Sequence, residues 1–139
     1  AARMPTVFTR IINRELPGRF VYEDESCAAF LTIAPVTPGH TLVVTRREVD
    51  DWLELTDDER NALWAACATV ARGIDQVFKP AKVAAMLVGL EVPHVHVHLI
   101  PISDESQLDF GKADASVEPA VLDGVAASIS AAISAGAGS

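Results

Sequence analysis

Pro93-His94-Val95-His96-Val97-His98-Leu99-Ile100-Pro101 alternates three histidines with three aliphatic residues. Successive side chains of a β-strand point to opposite faces. A strand over these residues therefore sets His94, His96 and His98 on one face and Val95, Val97 and Leu99 on the other. The aliphatic face, rich in β-branched residues, suits a pleated, half-buried surface. The opposite face carries imidazoles about 7 Å apart along the strand. By residue type the row admits three readings. One is a metal site, since imidazole is a common zinc ligand. The second is nucleophilic catalysis by an imidazole that its neighbours tune. The third is a solvent-facing strand that is merely histidine-rich, and spacing alone leaves all three open.

Outward from this strand, turn and cap signals divide the chain. Apolar residues at 7, 8, 11, 12 and 16 predict a helix over 6–16, capped by Thr6 and ended by Pro17-Gly18. Strands follow over Phe20–Glu23 and Cys27–Ile33, closed into a hairpin by Asp24-Glu25-Ser26. Pro35 to Gly39 forms a rigid connector, and His40 opens a third strand that runs to Thr45. A short helical turn is expected within 49–55. Thr56-Asp57-Asp58-Glu59 is a capping box that starts a long helix to about Phe78. Its apolar stripe comprises Leu63, Ala66, Cys67, Val70, Ile74 and Val77, widened by Trp64 and Ala68. Val83–Val88 reads as the fourth strand and the histidine row as the fifth. Residues 102–117 read as a surface loop, and a last helix runs from Glu118-Pro119 to about Ile133. The expected class is α+β, with a five-stranded, mostly antiparallel sheet, a long helix and terminal helices. Residues 1–139 are expected to form a single domain, with 6–101 as its core, 102–133 as C-terminal loop and helix, and 134–139 as a flexible tail.

Half of the 139 residues are hydrophobic and 22% are charged, which is a globular composition. The net charge of −8 argues against a nucleic-acid-binding surface. Cys27 and Cys67 sit in apolar runs and read as buried free thiols of a reducing compartment. No apolar run of about 18 residues suggests a membrane span, and no signal-peptide pattern is visible, so a cytoplasmic location is expected.

His94-Val95-His96-Val97-His98-Leu99-Ile100 resembles the signature of the histidine triad (HIT) family of nucleotide hydrolases and transferases. The resemblance extends over about residues 6–101, through Val21 to Glu25, Ala29-Phe30-Leu31, Pro35, Pro38-Gly39-His40-Thr41 and Gly89. It implies hydrolysis at the α-phosphorus of nucleoside 5′-phosphate derivatives: phosphoramidates, acyl nucleotides or dinucleoside polyphosphates. In that scheme His96 is the nucleophile and forms a covalent nucleotidyl intermediate. A backbone carbonyl fixes its tautomer, His98 donates to a phosphate oxygen, His40 supports the row and His94 holds the neighbouring structure. Thr32, Gly89, Leu90 and Glu91 take the substrate-binding positions. The resemblance further implies purine nucleoside monophosphate derivatives as ligands, no cofactor and a homodimer. An alternative is a HIT-fold nucleotide-binding or regulatory protein with little turnover. Zinc-containing members carry Cys-x-x-Cys where this chain has Thr6 and Thr9, and a histidine where it has Glu48, so no metal is expected. Thr32 replaces an acidic residue or Asn, Val83-Ala84-Ala85 lacks the usual Asn and Gly, and Leu90 replaces a Gln.

Overall fold

The computed structural model describes residues 4–137. Its elements are α1 (Val7–Ile12), β1 (Phe20–Glu23), β2 (Cys27–Leu31), β3 (Thr41–Thr45), α2 (Asp57–Phe78), β4 (Lys82–Met86), β5 (His96–Ile102) and α3 (Pro119–Ala137). The strands form one sheet in the order β1-β2-β3-β5-β4, and every neighbouring pair is antiparallel. The α+β class and the five strands match the reading of the sequence.

Register decides which side chains meet, because opposed residues in antiparallel strands share a face. Leu42 opposes His98 and Val44 opposes His96. Phe30 opposes Leu42 on the next strand. With Phe8 of α1, these apolar residues make a small cluster on the histidine face. On the other face Val43 opposes Val97 and Thr41 opposes Leu99. That face packs against α2 and α3 in the main core, where Leu63, Val70, Ile74 and Ile129 are buried. Cys27 and Cys67 are buried and free, and burial pushes both thiols up to about 12.

Several boundaries differ from expectation, for local reasons. The first helix stops at Ile12 rather than Leu16, because Asn13 caps it and Arg14 turns left-handed at φ 63°. β5 begins at His96, so His94 lies before the strand. The His94 amide donates to the Val92 carbonyl (2.8 Å) and the Val95 amide to the Val49 carbonyl (2.7 Å), which takes both residues out of the regular ladder. β5 then continues past Pro101 to Ile102. The second strand ends at Leu31, the third starts at Thr41 and the fourth ends at Met86. The 102–117 segment contains two 3-10 turns, Glu105–Gln107 and Phe110–Lys112. α3 reaches Ala137, so 134–137 are helical rather than a loose tail; 1–3 and 138–139 lie outside the described residues. By length and composition alone α3 would suit a bilayer, but Leu122, Ala126, Ile129 and Ile133 are buried against the rest of the fold.

Gly39 is required on two counts at the entrance to β3. Its φ is +95°, and a Cβ there would lie 2.6 Å from the Phe78 ring. The turn at Gly39 delivers His40 to the histidine face.

Candidate active site

His96 sits at the first position of β5, with 5% of its surface exposed. Its Nδ1 lies 2.7 Å from the His94 carbonyl oxygen. A carbonyl only accepts, so Nδ1 carries the proton and Nε2 keeps its lone pair. Every buried side-chain nitrogen or oxygen among the described residues has a hydrogen-bond partner. The unpartnered Nε2 is therefore the solvent-accessible nitrogen, and His96 lines a cleft of about 500 Å³, a volume typical of small-molecule sites.

His98 is oriented from the other side by a second relay. The Val36 amide donates to Nδ1 of His40 (3.0 Å), which assigns the His40 proton to Nε2. That Nε2 lies 2.9 Å from Nδ1 of His98 and donates to it. His98 is left with a proton on Nε2. The His96 and His98 rings lie 4.9 Å apart in an edge-on arrangement. The row thus presents one bare nitrogen beside one N–H donor. Burial keeps the rings neutral: His40 is lowered to about 3, with the nearby His98 ring adding to the effect. His98 is lowered to about 4 by burial and then by His96. His96 is lowered by burial, partly countered by its bond to the His94 carbonyl and by the charge of Glu91.

His94 is fully buried and turned away from the cleft. Its Nε2 donates to the Thr45 carbonyl (2.6 Å), and its Nδ1 accepts from the Thr6 hydroxyl (2.6 Å). Thr6 also caps α1, accepting from the Thr9 amide. The Thr9 hydroxyl and the Thr6 amide both donate to Glu48 Oε1 at 2.7 Å. These bonds hold the Glu48 carboxyl below the usual carboxylate range. Thr6, Thr9 and Glu48, the three positions where the resemblance implies zinc ligands in metal-containing members, are thus brought together with His94. Their donors, two hydroxyls and one carboxylate, are bonded to one another and to the imidazole nitrogen a metal would need. This donor set does not fit a tetrahedral zinc.

The remaining expected residues gather around the cleft. Thr32, Gly89, Leu90 and Glu91 all line it. The Thr32 hydroxyl accepts from the Ala34 amide (3.2 Å), so it also shapes the turn. Leu90 is 90% exposed at the rim. Gly89 has φ +77°, and a Cβ there would meet no atom nearer than 4.0 Å, so backbone conformation rather than space selects glycine. Two aromatic walls escape a reading by spacing. Phe8 meets the His96 ring edge-on at 4.8 Å, and Phe110 lies 4.8 Å from the His98 ring. Phe110 is a lone aromatic in a polar segment, and that isolation is the signal that marks it.

The profile of the family described as the HIT domain matches residues 13–105. An uncharacterized HIT-like protein of Methanocaldococcus jannaschii is 41% identical over 103 residues, covering 68% of this chain and 77% of that one. An asymmetrical bis(5′-nucleosyl)-tetraphosphatase of Schizosaccharomyces pombe is 34% identical over 101 residues, covering 67% and 52%. Among solved structures, a hypothetical histidine triad nucleotide-binding protein of Sulfolobus tokodaii superposes with a TM-score of 0.81 at 32% identity, covering 92% of this chain and 91% of its own.

Proposed function

The chain belongs to the HIT domain family, and from that premise we propose that it hydrolyses nucleoside 5′-phosphate derivatives at the α-phosphorus through a nucleotidyl intermediate on His96. The observation that carries this reading is the 2.7 Å bond from His96 Nδ1 to the His94 carbonyl, which leaves Nε2 bare on the cleft. In the first step Nε2 attacks phosphorus and the bond to the leaving group breaks. The proton on His98 Nε2 goes to the leaving atom. In the second step water attacks the same phosphorus and gives its proton to His98. The histidine–phosphorus bond breaks, and the nucleoside monophosphate departs. A neutral imidazole is nucleophilic near pH 7, so positioning and hydrogen-bond donation carry the catalysis. The apolar wall of Phe8 and Leu42 suits a purine, with Thr32 near the ribose.

The test is turnover of a panel containing a nucleoside phosphoramidate, an acyl nucleotide and a dinucleoside tetraphosphate, with His96→Ala alongside. Cleavage by the native protein and none by the variant is expected; equal activity in both refutes the assignment.

Leu90 and Thr32 favour a second reading, binding with little turnover. Leu90 offers no donor to a leaving group, and the Thr32 hydroxyl is engaged with Ala34. Calorimetry showing nucleotide binding without hydrolysis would support it. Homodimerisation is proposed on the edge strand β4 and on α2, whose Trp64 is exposed.

A further inference from the structure

The cleft that holds His96 and His98 is electrostatically one-sided. Among the described residues no lysine or arginine lines it, and Glu91 is the acidic side chain on its wall. The His40, His96 and His98 rings are neutral at pH 7 and add no positive charge. Lys112 lines the adjoining cavity behind His40 instead, and its ammonium donates to the Ser106 carbonyl (2.8 Å). Glu91 is exposed, and no hydrogen bond or ion pair among the described residues occupies its carboxylate. Its charge nonetheless reaches His96. A polyphosphate leaving group would bring several negative charges to a wall with one negative charge and no cation to offset them.

We infer that Glu91 sets the charge of the leaving group: the cleft favours nucleoside 5′-phosphate derivatives whose leaving group bears an ammonium near the scissile bond, and disfavours polyphosphate leaving groups. The inference rests on the hydrolase reading above and narrows its substrate class. For an amine joined to phosphorus, the His96–phosphorus bond forms as the phosphorus–nitrogen bond breaks. The His98 Nε2 proton passes to that nitrogen, which leaves as a neutral amine, while the distal ammonium stays charged against Glu91. Water then attacks phosphorus, returns a proton to His98 and frees His96.

The test compares kcat/KM for the native protein, Glu91→Gln and Glu91→Lys on isosteric substrates. One is the adenosine 5′-phosphoramidate of 1,3-diaminopropane, with an ammonium end. Another is that of n-butylamine, with a methyl end; diadenosine tetraphosphate is the polyanionic probe. The ratio between the amidates cancels any change that the variants impose on His96 itself. The native protein should favour the ammonium substrate roughly fivefold, falling with added salt. Glu91→Gln should bring the ratio near one, and Glu91→Lys should invert it and raise the tetraphosphate rate. Equal native rates on the two amidates, or a ratio that Gln leaves unmoved, overturns the role of Glu91 while the hydrolase reading stands. Cleavage of none of the substrates overturns both.

Discussion

His96 and His98 have their roles divided by what each Nδ1 meets: a carbonyl that accepts, and an imidazole N–H that donates. Removing the donor for His98 should leave its tautomer free. His40→Ala is expected to lower single-turnover rates by about 10²-fold, with ligand binding less affected. Thr6→Val breaks the bond to buried His94 and should destabilise the fold by about 1–3 kcal/mol in urea titration. The pH dependence has a defined sign. The folded rings resist protonation, with His98 at about 4 and His40 at about 3. Below about pH 6.5 the unfolded chain takes up protons that the folded chain refuses. Stability from these rings is thus full above that value and declines as pH falls towards 3 to 4, by up to about 1.4 kcal/mol per pH unit for each ring. Acid unfolding followed by circular dichroism checks this. At this scale the alternation of residues 94–98 was legible. The partnership of His40 with His98 across 58 positions was not a matter of spacing; it follows from the β3–β5 register, and only the family resemblance put His40 beside the row. Phe110 escaped because its contact with His98 comes from tertiary packing of a polar loop.

α2 is the element the sequence specifies most fully. Thr56 and Glu59 close the capping box, and the helix ends at Phe78 with Lys79 left-handed. Thr56→Ala should cost about 1 kcal/mol by denaturant titration. Gly73 carries a less obvious constraint. A Cβ there would come within 2.5 Å of Ile133 Cγ1 and 3.3 Å of the Ile129 carbonyl. Gly73→Ala should therefore lower Tm, although alanine is the better helix former by about 1 kcal/mol. A raised Tm would show that α3 shifts freely on α2. Periodicity located elements well where an apolar stripe faced the core. It failed where backbone bonds outweighed pattern, as at His94, whose amide turns back to Val92. It also stopped short at Ile133, the last buried side chain, although exposed small residues continue the helix to Ala137.

At the scale of the whole molecule, the sheet has its main apolar core on one face and the histidine cleft on the other. β4 is an edge strand of the sheet, and Trp64 of α2 is exposed, as are Trp52 and Leu53 of the 3-10 turn Trp52–Glu54. Light scattering at micromolar protein should give twice the 14.8 kDa chain mass, and Trp64→Glu should shift it towards the monomer. A monomeric native protein contradicts the dimer. The fold was legible as a whole because turn signals and two kinds of periodicity agreed on it. The cleft was not, because its walls come from α1, the 89–92 loop and the Phe110 turn, which are far apart in sequence. What these walls enclose is the bare Nε2 of His96, and intact mass spectrometry after rapid mixing with a nucleoside phosphoramidate tests the role proposed for it directly. A transient gain equal to one nucleoside monophosphate, mapped to the peptide containing His96 and absent from His96→Ala, is predicted. Turnover with the adduct on another residue, or turnover undiminished in His96→Ala, would contradict the account.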